Sequence, residues 1–360
     1  MGKNIFIAGT ILAAAISLAS CSKEIKREQL QIREAVVTVD LEGAPGTKTV
    51  LSAAPATDAM VNDVTVLVFK NEGNSLSDHL IDGSYSGGSQ LTGITVKATT
   101  GSRNIYAVAN AHGTNFASVA NEAEFKAISS NLKREGEGSF TMIGVAENQN
   151  LVTGSSATNN ITIPIHRMVA RVTLSGINAD FSGTLLSGQK LSDVKVYITN
   201  VAGDKFYFDG ETAPSSAAVY NYTEYVAADS PATGTTGMFY DAIASQIGTE
   251  ASAYSSKHYF YAYQNTLETE TETARFTRLV IEANIGSNHY YWPIDINRTG
   301  FKGGNTTDHD GIKANCTYDY AVKVTHAGSD DPEGLVDISS MGITLTVTDW
   351  TVIPTVNYEF

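Results

Sequence analysis

Only two of the 360 residues are cysteine, Cys21 and Cys316, so the chain has no disulfide framework of the kind that staples small secreted domains. Basic residues are also scarce. There are 24 Lys and Arg against 38 Asp and Glu, a formal net charge of −14. That balance argues against nucleic acid as a partner and against adsorption on an anionic membrane surface. Long runs rich in Leu, Glu and Lys are missing, while Gly stands at 31 and Thr, Ser and Tyr recur. This composition favours β structure over helix. Spacings that announce chemistry are equally hard to find. The chain holds no GxGxxG, no P-loop, no GxSxG elbow and no HExxH, so dinucleotide, nucleotide, serine-hydrolase and zinc-protease chemistry all lack their signatures. What remains is ordinary globular content: 42% hydrophobic residues, enough for sizeable cores and, at this length, for two domains.

The first twenty-one residues read as a targeting segment. Lys3 supplies the positive end, and Ile5–Leu18 is an apolar run too short to span a bilayer comfortably. It ends Leu18-Ala19-Ser20-Cys21, which looks like a bacterial lipobox, with Cys21 lipidated and becoming the new N-terminus. A lipid anchor followed by an acidic body describes a chain tethered to a membrane. Cys316 is then left to serve as a small strand residue. Residues 22–34 are polar and mixed in charge, a tether. Ala35, Val37, Val39 and Leu41 alternate with polar or outward positions, the period of a strand with one buried face. Gly43-Ala44-Pro45-Gly46-Thr47-Lys48 follows as a loop, an exposed small-residue stretch of the kind proteases cut.

The spacing predicts a central strand over 61–69, apolar on both faces, and further strands at 94–98, 105–109, 140–145, 161–164, 168–174, 194–198, 258–263, 275–285, 289–296 and 318–325. One helix is expected over 118–132, capped by Ser118, with Phe125, Ile128 and Leu132 on its buried face. Short strands between spacers rich in Gly, Ser, Thr and Asn argue for β-sandwiches, with a boundary near His166-Arg167. The C-terminal stretch alternates through Met341, Ile343, Leu345 and Val347, then slips phase at Asp349. From there Trp350, Val352, Pro354, Val356, Tyr358 and Phe360 hold the apolar positions. A one-residue slip turns the second half to the other face, so this end docks either on its own domain or on another molecule. Asp308-His309-Asp310-Gly311 and the carboxylates Asp330, Asp331 and Glu333 read as solvated turns rather than metal or acid–base sites. The aromatics Tyr259, Phe260, Tyr261, Tyr263, Tyr290, Tyr291 and Trp292 read as sheet packing before sugar stacking.

The strand AVVTVDL, then NDVTVLVFKNEG, SRNIYAVANAHG, FTMIGVAE, IHRMVARVTLSGI, YDYAVKVTHAGSDDPEG and the terminal ITLTVTDWTVIPTVNYEF, all behind a lipobox, together resemble the FimA-type fimbrillins, the fimbrial subunits (type V pilins) of Bacteroidia. HRMVARV and TVTDW are the more specific pieces. The resemblance implies a mainly β protein of two tandem β-sandwich-like (transthyretin-like) domains with few short helices. Its segments would be a signal at 1–21, a tether and cleavable strand at 22–48, an N-terminal domain at 49–167 and a C-terminal domain at 168–360. It implies no enzyme activity, no cofactor and no metal. It implies a precursor anchored to the outer membrane through Cys21, then trimmed by a surface protease so that the strand of Ala35, Val37, Val39 and Leu41 leaves its groove. A neighbouring subunit's C-terminal strand, anchored by Trp350, Val352, Val356, Tyr358 and Phe360, would fill that groove, building a fimbrium that supports adhesion to a host or bacterial receptor. Family members are cut after Arg; here the matching loop position is Lys48, and Arg33 precedes the strand. Either a protease of other specificity acts near Lys48, or the subunit keeps its segment, as an anchor subunit would. A tip or accessory adhesin, or a glycan-binding surface lipoprotein, is the alternative.

Overall fold

Period-two alternation dominates the chain, and strands dominate the computed structural model. It describes residues 32–43, 56–154, 158–208, 219–220, 240–298, 311–334, 336 and 341–349. The first sheet is built from β1 (Glu34–Gly43), β2 (Val64–Lys70), β3 (Ile81–Gly87), β4 (Ile94–Thr99), β5 (Gly101–Ala109), β7 (Met142–Leu151) and β8 (Asn160–Arg167), with β6 (Ser129–Asn131) lying outside it. Its order is β3-β2-β5-β7-β8-β1-β4. The sheet turns a corner between β7 and β8, which pair only through Met142 with Arg167 and Ile143 with His166. The chain crosses from one half to the other at Thr100, where Gly101 takes a φ of 120° that a residue with a Cβ adopts poorly. Between the halves lies one apolar cluster, fed by β1, β2, β4, β5, β7 and β8.

β2 is buried on both faces, as Val64, Val66 and Val68 on one and Leu67 and Phe69 on the other predict. Val64, Val66 and Val68 enter this first cluster. Leu67 and Phe69 enter a second, which continues through the rest of the molecule. That remainder begins with β9 (Val169–Ala179), β10 (Leu191–Thr199), the short β11 (Val201–Ala202), β12 (Asp204–Phe206) and β13 (Val219–Tyr220), and β14 (Tyr240–Ile243). It ends with β15 (His258–Tyr263), β16 (Arg278–Ile285), β17 (Asn288–Asp295), β18 (Cys316–Val324) and β19 (Met341–Asp349). Two four-stranded sheets, β15-β9-β18-β19 and β14-β10-β16-β17, share the second cluster. The chain leaves the first sheet at Arg167 and enters β9 at Val169.

The two sheet systems are stitched together rather than hung in series. β6 pairs with β12 across the seam, Tyr263 donates to Glu135 at 3.2 Å, and the hydroxyls of Thr114 and Tyr207 meet at 3.0 Å. This stitching shortens the expected helix over 118–132. Only α1 (Glu122–Lys126) forms, and its cap is Asn121, which accepts from the Glu124 amide, rather than Ser118. Phe125 and Leu132 are fully buried as the spacing requires. Between them, however, Ser129–Asn131 is recruited as a strand by residues more than seventy positions away, and tertiary pairing overrides helical periodicity.

Candidate functional site: the first strand and its groove

β1 carries the alternation read from the sequence. Ala35, Val37, Val39 and Leu41 are 0–3% exposed and point into the first cluster, while the residues between them are half-buried. At about 1.5–3 kcal/mol for each fully buried large aliphatic side chain, Val37, Val39 and Leu41 give the strand a firm hold.

The strand is flanked on both sides, and its partners are staggered. Residues 34–39 run antiparallel to β4, from Glu34 opposite Thr99 to Val39 opposite Ile94. Residues 38–43 run parallel to β8, from Thr38 opposite Asn160 to Gly43 opposite Ile165. The handover falls at Thr38 and Val39. Loop groups extend both ladders. The Asn159 side-chain amide donates to the Val36 carbonyl at 3.0 Å, the Leu41 amide donates to the Leu91 carbonyl at 2.7 Å, and the Gly93 amide donates to the Asp40 carboxylate at 2.7 Å. β1 itself thus runs antiparallel to β4 and parallel to β8.

Two buried ionic networks border the groove, and no motif search on the sequence assigned them. Arg103, on β5, is 0% exposed. It donates to Asp82 at 2.7 Å, to the Thr99 hydroxyl at 2.6 Å, to the carbonyls of Thr100 at 2.8 Å and Ser102 at 2.6 Å, and to Glu72 at 3.1 Å. Burial alone raises the Asp82 carboxyl, but donors from Thr99 and Arg103 outweigh it and hold the group below its usual range. Arg167, the last residue of β8, is also 0% exposed. It donates to the Asp58 carbonyl from Nε at 3.0 Å and Nη2 at 2.7 Å, while Arg171 Nη1 meets the Asp58 carboxylate at 2.8 Å. Burial pushes the Arg167 guanidinium down to about 10, against the pull of Asp58. Both arginines of the HRMVARV stretch thus grip one aspartate on the 3-10 turn Ala56–Ala59.

Other residues singled out in the sequence fall as follows. Cys21, Lys48, Trp350, Val352, Val356, Tyr358 and Phe360 lie outside the described residues, as do Asp308, His309 and Asp310. The C-terminal alternation forms β19, antiparallel to β18 along its whole length and, among the described strands, at the edge of its sheet. Cys316 opens β18 and is half-buried. Phe260, Tyr261, Tyr263 and Trp292 are buried, so these rings serve the core. Tyr259 is partly exposed and lies over the Arg171 guanidinium. Glu333 departs from the expected solvated turn. It binds Arg278 at 2.6 Å, beside Glu270 at 2.7 Å and Asp295 at 2.8 Å. Among the described residues no group of three or more His, Cys, Asp or Glu is placed to hold a metal.

Residues 35–201 match the family model described as the major fimbrial subunit protein FimA. This segment is similar to the FimA family. The match opens on Ala35, the first buried residue of β1, and takes in all of the first sheet but Glu34. Solved structures extend the likeness of fold over nearly all of this chain. A fimbrilin from Porphyromonas gingivalis is 17% identical with a TM-score of 0.62, covering 89% of this chain and 99% of its own. A protein described as a candidate cell adhesion protein from Bacteroides eggerthii is 21% identical with a TM-score of 0.62, covering 88% and 96%. A tip fimbrial protein from P. gingivalis, truncated at its C-terminus, is 15% identical with a TM-score of 0.53, covering 88% and 100%. At these identities the likeness shows a shared fold. Among curated proteins none matches the chain significantly.

Proposed function

We propose that this chain is a structural subunit of a cell-surface fimbria, assembled by protease-triggered strand exchange and supporting adhesion. The observation that carries the reading is the position of β1. The first strand of the fold is also an inner strand of its sheet, with four inward side chains almost wholly buried. A strand near a chain end that supplies part of a core is what an exchange mechanism removes and replaces. In this reading Cys21 carries the lipid that holds the precursor at the outer membrane, and cleavage near Lys48 severs β1 from the body. The tail after β19, with Trp350, Val352, Val356, Tyr358 and Phe360, donates to the groove of the next subunit. The partners are other fimbrial subunits, a maturation protease and a surface receptor. The reading gives the chain no catalytic work.

Brief trypsin treatment of the soluble chain beginning after Cys21, followed by gels and electron microscopy, tests this. Ladders or filaments that appear on loss of the N-terminal segment, and vanish when 350–360 are deleted, are the expected result. Clipped chains that stay monomeric with an intact C-terminus overturn it.

A further inference from the structure

Strand exchange requires an emptied groove to keep its shape until another strand arrives, and the ladders do not ensure this. Among the described strands β4 has only β1 as a ladder neighbour. β8 keeps only its two-residue contact with β7. Removing β1 therefore leaves both walls as nearly unpaired edges.

One end of each wall is nevertheless tied down by a fully buried arginine, β4 at Thr99 by Arg103 of β5 and β8 by its own last residue Arg167, and the two lie at diagonally opposite corners. The Thr99 corner, beside the start of β1, is held by Arg103, which donates to the Thr99 hydroxyl and to Asp82. Asp82 in turn accepts from the Thr99 amide at 2.7 Å. The Arg167 corner, toward the end of β1, is held by the bonds to Asp58, itself tied to Arg171 on β9. None of these groups belongs to β1, so none departs with it. Fully buried arginine is rare unless its fork is satisfied; here the Arg103 fork closes on the end of β4, and the Arg167 fork ties the end of β8 to the turn that carries Asp58.

Resting on the strand-exchange reading, we propose that Arg103 and Arg167 are pins that hold β4 and β8 in place when β1 leaves, so that the processed subunit stays able to accept a strand. Before processing the ladder to β1 shares this work. After processing the pins do it alone.

The test compares the intact full chain, purified in detergent, with the same chain nicked by trypsin, using amide hydrogen exchange read by mass spectrometry. A fluorescent peptide of residues 33–43 is added in excess to follow replacement of β1. In the nicked wild type, amides of 97–99 and 165–167 should exchange at least ten-fold more slowly than those of 94–95 and 160–162. In Arg103→Lys and Arg167→Lys the contrast should disappear at the altered corner and capture of the peptide should fall at least ten-fold. The intact variants should keep wild-type protection in both strands. Where a lysine variant does not fold, Asp82→Asn makes the same comparison at the Thr99 corner with Arg103 in place, and Arg167→Gln makes it at the other corner, where the bonds run to the Asp58 main-chain carbonyl and no side-chain change at Asp58 removes them. Even loss of protection along both walls in the nicked wild type overturns the pins. So do variants that lose protection equally before and after nicking. If the nicked wild type never takes up the peptide, strand exchange fails and the pins fail with it; if it takes up the peptide but shows no contrast, the pins alone fail.

Discussion

Leu41 sits where β1 meets β8, 3% exposed, and its own amide is fixed by the Leu91 carbonyl. Truncation there leaves a cavity that a sheet flanked on both sides cannot easily close. Leu41→Ala should cost about 2–5 kcal/mol in urea unfolding and should speed release of β1 from a nicked chain. A second residue sets a pH limit. Glu122 is 1% exposed on α1. Burial raises its carboxyl, but the Tyr106 hydroxyl, the Asn104 amide at 3.0 Å, His79 at 2.7 Å and Lys126 at 3.1 Å outweigh burial and hold it below the ordinary 4.5. A carboxyl whose folded pKa lies below its unfolded value adds stability that is present above about 4.5 and lost as pH falls through the folded value. Glu122→Gln should lower the melting temperature at pH 6 and flatten its decline between pH 5 and 3. A decline as steep as that of the wild type would remove Glu122 from the account.

At the scale of elements, both groove walls rest against glycine. A Cβ on Gly83 of β3 would stand 2.1 Å from the Lys97 carbonyl oxygen of β4, and one on Gly144 of β7 would stand 2.3 Å from the Pro164 carbonyl oxygen of β8. Gly144→Ala should therefore push β8 outward, costing about 1–3 kcal/mol and loosening β1 more than β2, which site-resolved hydrogen exchange would show. How much of this was legible in the sequence depends on the element. β1 and the two-faced β2 could be read because alternation and apolarity on both faces are local signals. β3, with the sequence IDGSYSG, has no such signal, because its strand character comes from pairing with β2. The helix over 118–132 fails for the converse reason, since its middle pairs across the seam. The parallel pairing of β1 with β8 could not be read at all, because a parallel partner lies far along the chain and leaves no local mark. HRMVARV stood out as a string, but the grip of its two arginines on Asp58 exists only in three dimensions.

Across the whole molecule the seam decides the mechanics. The pairing of β6 with β12, the Asp58–Arg171 bridge and the Tyr263–Glu135 contact join the sheet systems through buried polar groups, and one apolar cluster runs through both. Calorimetry should accordingly record one cooperative unfolding transition, whereas two well-separated peaks would mean independent domains. A fimbria of such subunits should bend at its joints and not within them. The placement of β1 also orders events in time. Strands β2, β3, β5 and β7 pair with one another antiparallel within residues 64–151, contacts of modest span that close early. The Asn159 side chain that holds Val36 comes 123 residues later, so among the described strands of the first sheet β1 is the first to be synthesised and the last to be seated. Assembly of the first sheet therefore finishes with the docking step that the proposed maturation would reverse, and a protease arriving before β8 is in place would meet a chain whose groove had never been filled.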